Sequence, residues 1–175
     1  FIWASPPCQG YSVMRHLPWN SHKSYPLLIE QIRTRLEASG VPWIIENVAG
    51  AQRVMDANWL CGTMFGRKFY RHRLFAAPFL WLAPLHSKHT ATIRVGRQLA
   101  GRARDLLFTA ERRKGIDAKR QSHEAAGFVL GTGHQPKAAM ARCEMEVEWM
   151  TADEMSQAVP PCYSTYLAQF IPLKP

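Results

Sequence analysis

Apolar residues in the first part of the chain fall into two short runs separated by a helical pattern. Residues 1–4 and 43–45 are continuous apolar stretches, which is typical of strands buried on both faces of a parallel sheet. Between them, leucine and isoleucine recur at helical spacing from about Pro26, and the pattern stops at Ser39-Gly40. This strand–helix–strand order predicts one right-handed parallel crossover unit.

Polar residues suited to chemistry follow each predicted strand. The first run leads into Ser5-Pro6-Pro7-Cys8, where two prolines restrict the backbone and hold the thiol of Cys8 on a stiff loop. The second run leads into Glu46-Asn47-Val48. Because parallel neighbours end at the same edge of a sheet, we expect Cys8 and Glu46 to face one cleft. A lone cysteine on such a loop is as often a buried structural thiol as a nucleophile, so the surrounding residues decide its role.

The remainder of the chain combines apolar segments with a basic stretch. The strand-like run 69–79 contains Arg71-His72-Arg73, and alternation places the two arginines on one face. A helix is predicted from Cys162 to Ile171. Residues 86–142 hold twelve Lys/Arg against four Asp/Glu, within a net charge of +9 for the chain. This concentration of positive charge is typical of a polyanion partner, most simply nucleic acid, and about equally of a solvated basic surface.

Composition restricts the class of protein. A chain of 175 residues with 47% hydrophobic content is long enough for one domain with its own core. No stretch reaches the ~18 apolar residues of a membrane span, and the cysteines form no Cys-x-x-Cys pair, which favours a reducing cytosol. No metal site is predicted, because His86 and His89 with Cys143 match no common zinc spacing. The chain opens on a strand at Phe1, so we expect it to be part of a longer protein.

Four motifs, taken in order, resemble those of the DNA cytosine-5 methyltransferases. Pro6-Pro7-Cys8-Gln9 is similar to the nucleophile loop of that family, and Glu46-Asn47-Val48 is similar to its catalytic Glu-Asn-Val motif. Arg71-His72-Arg73 resembles its arginine pair, and residues 157–161 (Gln-Ala-Val-Pro-Pro) resemble its closing motif. Each match is short, but their order over most of the chain makes the resemblance specific.

The resemblance implies covalent catalysis. Cys8 would add to carbon-6 of cytosine, because carbon-5 is too weak a nucleophile to take a methyl group unaided. A partly protonated Glu46 would protonate or hydrogen-bond ring nitrogen 3. Arg71 and Arg73 would hold the base carbonyl oxygen and the carboxylate by charge-assisted hydrogen bonds. The target base must leave the duplex to be reached, which is base flipping.

The family binds S-adenosylmethionine, and this sequence accounts for only one edge of such a site. The resemblance places Pro7 and Gln157 beside the cofactor. The usual glycine-rich strand–turn–helix has no counterpart, and Ser156-Gln157 stands where the family has Gly-Asn. We therefore expect a separate chain or an N-terminal lobe to carry the rest of the cofactor site, and little activity from this chain alone.

The basic stretch corresponds to the family's target-recognition region, which implies double-stranded DNA as the partner. Its cationic residues are candidates for phosphate contacts, and sequence does not decide which of them reads a base. The candidates are Arg94, Arg97, Arg102, Arg104, Arg112, Arg113, Lys114, Lys119 and Arg120.

The expected fold is α/β, a partial Rossmann-like methyltransferase sheet with a small basic target-recognition lobe. An incomplete catalytic core is expected at residues 1–80, the lobe at 81–145, and a C-terminal segment returning to the core at 146–175. The expected function is DNA cytosine-5 methylation by an enzyme or a fragment of one. The setting would be restriction–modification in a bacterial or phage-like cytoplasm, at the nucleoid.

Three alternatives are kept open. The first is cytosine-5 methylation of tRNA, whose enzymes carry nearly identical motifs. The second is a non-catalytic nucleic-acid-binding module that retains the fold. The third is a thymidylate-synthase-like enzyme, which also uses a Pro-Cys nucleophile but for which the basic stretch and Glu46-Asn47-Val48 have no purpose.

Overall fold

A mixed α/β fold is built around a small open sheet. The computed structural model describes residues 1–18, 20, 22–89, 129–130 and 138–172. The strands are β1 (Ile2–Ala4), β2 (Trp43–Val48), β3 (Asn58–Leu60), β4 (Phe69–Tyr70), β5 (Arg73–Ala76) and β6 (Val129–Leu130). The helices are α1 (Ile29–Ala38), α2 (Ala138–Met145), α3 (Ala152–Gln157) and α4 (Pro161–Ala168). Short 3-10 turns occur at Val13–His16, Ala49–Ala51 and Gly62–Phe65.

The four-stranded sheet has the order β1-β2-β5-β3. Strands β1 and β2 pair in parallel, with Ala4 opposite Ile45, so the predicted adjacency of these two strands is confirmed. Strand β5 is antiparallel to both β2 and β3. The sheet is therefore mixed, and the expected Rossmann-like arrangement is not confirmed. Strands β4 and β6 form a separate two-stranded parallel pair.

Helix α1 begins later than the sequence indicates. It starts at Ile29 rather than near Pro26, because the backbone N–H of Ile29 donates to the hydroxyl of Tyr11 at 3.0 Å, a tertiary contact that the local sequence does not encode. Its end is as predicted: Gly40 follows the last turn with φ of +63°, the left-handed conformation that glycine adopts without strain. The final helix also differs slightly, since α4 starts at Pro161, where a proline suits the first turn, and stops at Ala168.

The predicted strand-like run at 69–79 is broken into two strands. Strand β4 ends at Tyr70 and β5 begins at Arg73, so Arg71 and His72 lie in the connection between them. The alternation that would put Arg71 and Arg73 on one face therefore does not apply, because residue parity holds only within one strand. Both arginines are nevertheless buried, with relative exposures of 0% and 8%.

Two hydrophobic clusters cover the two faces of the sheet. On one face, Trp43 and Ile45 pack with Ile29 and Leu36 of α1. On the other, Ile44 and Phe75 pack with a group from the C-terminal part of the chain, which includes Met145, Met155, Tyr163 and Leu167. Alternation along β2 puts Glu46 on the same face as Ile44, so its carboxyl lies towards the C-terminal helices.

Three described residues of the expected lobe at 81–145 pack into this core, while Leu82 and Leu85 are exposed. Trp81, Ala141 and Met145 lie in the cluster around Ile44 and Phe75. Most of the remaining lobe positions lie outside the described residues. Within the described ranges, no helix is both long and apolar enough to cross a membrane.

Candidate active site

Cys8 lies on a tight loop directly after β1. Its carbonyl oxygen accepts hydrogen bonds from the N–H groups of Tyr11 and Ser12, at 3.0 and 2.9 Å, which closes a turn around it. Pro6 is buried, whereas the Cys8 side chain is half-buried and carries a free thiol. The loop thus holds a reachable sulfur at the end of a strand, as the proline pair predicts.

Asn47 attaches this loop to the neighbouring strand. Its amide Nδ2 donates a 3.0 Å hydrogen bond to the carbonyl oxygen of Pro6, in buried surroundings. Its Oδ1 accepts from the N–H of Val48. A buried amide whose oxygen and nitrogen are both hydrogen-bonded fixes the geometry of its partners. The Cys8 loop is therefore held against β2 at the residue next to Glu46.

Glu46 and Arg73 form a buried ion pair. The Arg73 Nε lies 2.9 Å from Glu46 Oε1, and each side chain is about 10% exposed. The pair follows from the register of β2 and β5, in which Glu46 is opposite Phe75 and Val48 is opposite Arg73. Two residues on neighbouring antiparallel strands, two positions off direct opposition, are within reach of a long side chain.

The carboxyl of Glu46 is predisposed to carry a proton. Burial raises the pKa of Glu46 above its ordinary value of 4.5, and this effect exceeds the lowering by Arg73, by a hydrogen bond from Ser5 and by Arg71. Desolvation disfavours the charged form of a carboxylic acid, which is the standard way in which proteins prepare one as a proton donor.

Arg71 is fully buried and only partly hydrogen-bonded. Its Nη2 donates to the carbonyl oxygen of Ser156 at 2.8 Å, while its Nε and Nη1 have no partner among the described residues. Burial and the neighbouring Arg73 lower the pKa of Arg71 to about 9, while the charges of Glu46 and Cys8 act in the opposite direction. Unpaired donors on a buried cation are costly and call for a ligand.

The predicted closing motif meets the arginine segment. Besides the Ser156 contact, the hydroxyl of Tyr163 on α4 donates to the carbonyl oxygen of Arg71 at 2.6 Å, inside the core. The segment 157–161 joins α3 to α4 and is thereby held near Arg71. Pro7 and Gln157, the two positions predicted to border a cofactor, are both exposed.

All nine cationic candidates for phosphate contacts, which fall between Arg94 and Arg120, lie outside the described residues. A different basic feature lies close to the Cys8 loop. An open depression of about 380 Å³ is bordered by Gly10, Arg15, His16, Lys23 and three neighbours. Cationic side chains beside an open surface are suited to binding phosphate. Sequence reasoning does not single out this depression, because the composition of residues 10–27 is ordinary.

Sequence reasoning also missed a group of metal-ligating side chains at the end of the β3–β5 pair where Leu60 is opposite Arg73. From the spacing of His86, His89 and Cys143, no metal site is predicted. Instead, the potential ligand atoms of four residues lie within 4.8 Å of one another, and Cys143 is not among them. This Cys–His cluster consists of Cys61, His72, His86 and His89.

The register of β3 and β5 explains half of the Cys–His cluster. Leu60 pairs with Arg73, so the next positions outward, Cys61 and His72, adjoin the end of this strand pair. A signal for it exists in the sequence only once that register is known, because the spacing of the cluster matches no common zinc module.

Comparisons of the chain with protein-family models, with curated proteins and with solved structures found no match.

Proposed function

We propose that this chain carries the base-activating half of a cytosine-5 methyltransferase acting on double-stranded DNA, with Cys8 as the nucleophile. One observation carries the proposal: direct contacts link the first three motif segments in series and reach the residue next to the fourth. Asn47 binds Pro6, Glu46 binds Arg73, and Arg71 binds Ser156 beside the closing segment. These partners are separated by as many as 85 residues along the chain, so the contacts come from the fold and not from local sequence.

The chemistry begins with the sulfur. The thiolate of Cys8 forms a bond to carbon-6 of the cytosine, and the displaced electron pair moves into the ring. Ring nitrogen 3 receives the proton of Glu46, which leaves carbon-5 as an enamine-like nucleophile. Once carbon-5 carries its new substituent, its proton passes to water, the carbon–sulfur bond breaks, and the nitrogen-3 proton returns to Glu46, which releases the product and restores Cys8. The raised pKa of Glu46 supports its part as proton donor.

The two arginines divide the remaining work. Arg73 orients the Glu46 carboxyl through the contact of its Nε–H with Oε1, which the carboxylate and the protonated acid can both accept. Arg71 offers its unpaired Nε–H and Nη1–H to the carbonyl oxygen of the base, where negative charge develops as the thiolate adds. A buried, preorganised donor of this kind is most effective when it is aimed at charge that appears only during the reaction.

The target must be flipped out of the helix to reach Cys8. Unstacking costs a few kcal/mol, and phosphate contacts help to offset it. We assign these contacts to the cationic residues of the stretch 94–120 and to Arg15 and Lys23 beside the Cys8 loop.

S-adenosylmethionine would supply the methyl group in such an enzyme. The described residues do not fit a complete site for it. Pro7 and Gln157 are exposed, and the helix that follows β1 is preceded by a long polar loop instead of a glycine-rich turn. The remainder of the cofactor site would belong to a separate chain or a further lobe, so no step is assigned to the cofactor.

Exchange of the carbon-5 hydrogen tests the proposal without a methyl donor. Addition of Cys8 turns carbon-5 into a nucleophile that takes up deuterium from heavy water, and elimination then returns a labelled cytosine. Duplex DNA and tRNA are incubated in parallel with the wild type, with Cys8→Ser and with the control Cys143→Ser, an exposed thiol. Mass spectrometry of the nucleosides reads the label.

The proposal expects label in DNA cytosine with the wild type and with Cys143→Ser, and none with Cys8→Ser. Label confined to tRNA would assign the tRNA-directed activity in place of the DNA one. No label in either nucleic acid, with DNA binding intact, would overturn catalysis and leave a non-catalytic nucleic-acid-binding module.

A further inference from the structure

We propose that the Cys–His cluster binds one Zn²⁺ ion that fastens the segment 77–89 to the end of the sheet. The cluster contains none of the proposed catalytic side chains, although His72 lies between Arg71 and Arg73 and its carbonyl oxygen accepts a hydrogen bond from Arg73. Its potential ligand atoms, one thiol sulfur and three imidazole nitrogens, converge within 4.8 Å.

The distances within the cluster are close to those of a tetrahedral zinc centre. Zinc bonds of ~2.0–2.1 Å to nitrogen and ~2.3 Å to sulfur place the ligand atoms of a tetrahedron roughly 3.3–3.6 Å apart. The Cys61 Sγ lies 3.4 Å from His89 Nε2, and His86 Nε2 lies 3.0 Å from the same His89 nitrogen. A shift of about an ångström in the remaining ligand atoms would complete the tetrahedron.

The donor set favours zinc over other ions. Thiolate and imidazole together select a borderline-soft metal, while Mg²⁺ and Ca²⁺ require oxygen ligands. Four protein ligands fill the coordination sphere of Zn²⁺, which is typical of a structural site.

Neighbouring side chains hold the ligands in place. The hydroxyl of Thr63 donates to the Cys61 Sγ at 3.4 Å, which stabilises negative charge on the sulfur. The ring of Trp59 packs edge-on against His72 and His86, with centroids 4.9 and 4.5 Å away. Tyr70 stacks on His89 at 3.7 Å. Outer partners of this kind fix the orientation of metal ligands.

The ligands come from two kinds of element. Cys61 and His72 directly adjoin the last paired residues of β3 and β5, whereas His86 and His89 lie on a segment without regular structure. Zinc would therefore cross-link that segment to the sheet, directly before the chain enters the basic stretch 94–120. Lys88, which is exposed between the two histidines, offers a trypsin site that reports on this cross-link.

Cobalt substitution tests the site. The 175-residue chain is purified without a polyhistidine tag under reducing conditions and titrated with Co²⁺ and then with Zn²⁺. We expect one equivalent of Co²⁺ to give the visible bands of a four-coordinate ion and a thiolate-to-cobalt charge-transfer band in the near ultraviolet. Zn²⁺ should displace it and slow tryptic cleavage after Lys88, and a chelator should restore cleavage.

Matched variants identify the ligands. Cys61→Ser should abolish the charge-transfer band, whereas Cys143→Ser should leave it intact. His86→Gln should weaken Zn²⁺ binding by more than the ~10–100-fold typical of losing an outer partner, and Thr63→Val should fall within that range. His22→Gln, an exposed histidine, should have no effect.

Three results would overturn the site. They are a wild type without the four-coordinate spectrum, a charge-transfer band that survives Cys61→Ser, and a band lost in Cys143→Ser. If Cys61→Ser fails to fold, the Co²⁺ spectrum of the wild type still tests the site, because the absence of a four-coordinate spectrum would overturn it.

Discussion

Asn47 and Pro6 are joined by a 3.0 Å hydrogen bond, from the side-chain amide of Asn47 to the carbonyl oxygen of Pro6. The bond connects the strand that carries Glu46 to the loop that carries Cys8. It spans 41 residues of sequence, and it fixes the relative position of the two groups that the proposed reaction needs together.

Asn47→Ala should therefore damage both stability and reactivity. The change leaves the buried Pro6 carbonyl without a partner, which costs about 1–3 kcal/mol in the free energy of unfolding. Chemical denaturation measures that loss, and carbon-5 exchange should slow because the Cys8 loop is no longer held against β2. Asn20→Ala is the control, since Asn20 makes a comparable amide-to-carbonyl bond to Met14 in exposed surroundings and should change the stability by no more than ~0.5 kcal/mol.

The raised pKa of Glu46 gives the exchange reaction a characteristic pH dependence. As pH rises from 4.5 through the higher pKa of the folded protein, the fraction of protonated Glu46 falls, and proton delivery to the base falls with it. Glu46→Gln keeps a fixed N–H donor and loses this titration. The ratio of the wild-type exchange rate to that of Glu46→Gln should decline with pH, and the ratio removes the ionisation of the thiol, which both proteins share.

The raised pKa of Glu46 also determines the direction in which the free energy of unfolding changes with pH. Because the folded state keeps the Glu46 proton to higher pH than the unfolded chain, the free energy of unfolding should decrease as pH rises above 4.5 and level off above the folded pKa. Urea denaturation across this range should show a smaller decrease for Glu46→Gln. An identical decrease in both proteins would contradict the raised pKa.

Local sequence was sufficient for the first crossover unit and insufficient for the site. The apolar runs at 1–4 and 43–45 and the stop at Gly40 are local signals, and they predict β1, α1 and β2 correctly in kind and order. The insertion of antiparallel β5 between β2 and β3 depends on pairing between distant segments, which residue periodicity does not contain. The Cys–His cluster depends on the same register and is missed for the same reason.

Replacement of Arg71 should reduce carbon-5 exchange strongly while changing the free energy of unfolding little. Arg71→Met loses one hydrogen bond to Ser156 but also removes a desolvated cation with two unpaired donors. These effects oppose each other, so the free energy of unfolding should stay within about 1 kcal/mol of the wild type. Carbon-5 exchange should fall by about 10²–10³-fold, the usual loss on removing a donor aimed at developing charge. Arg53→Met, an exposed arginine, should change neither quantity.

Affinity for duplex DNA should depend on salt through the basic stretch. Replacing Arg112, Arg113 and Lys114 by Gln should flatten the plot of log affinity against log salt by up to ~0.9 for each phosphate that the variant no longer neutralises. Binding titrations over a range of salt concentrations measure the slope.

The control for this experiment removes the same charge elsewhere. The control variant replaces three exposed cations of the described core by Gln, at Arg35, Arg53 and Lys68. Its slope of log affinity against log salt should stay closer to that of the wild type. Equal flattening by both sets would show that net charge alone drives binding, without a dedicated basic stretch.

Two tyrosines provide a matched comparison for the contact between the closing segment and the arginine segment. Tyr163 and Tyr166 lie one turn apart on α4, and each hydroxyl donates a 2.6 Å hydrogen bond to a backbone carbonyl, of Arg71 and of Leu82. The first bond is buried and the second is exposed. Tyr163→Phe should cost about 1–3 kcal/mol in the free energy of unfolding, because the Arg71 carbonyl would lose its partner where water does not reach.

Tyr166→Phe should cost less than about 0.5 kcal/mol, since water replaces the lost hydroxyl at Leu82. Thermal or urea denaturation of the two variants gives the comparison directly. If Tyr163→Phe also slows carbon-5 exchange while Tyr166→Phe does not, the carbonyl of Arg71 is the point through which α4 holds the guanidinium in position. Equal costs for the two variants would mean that the buried bond does not anchor this segment.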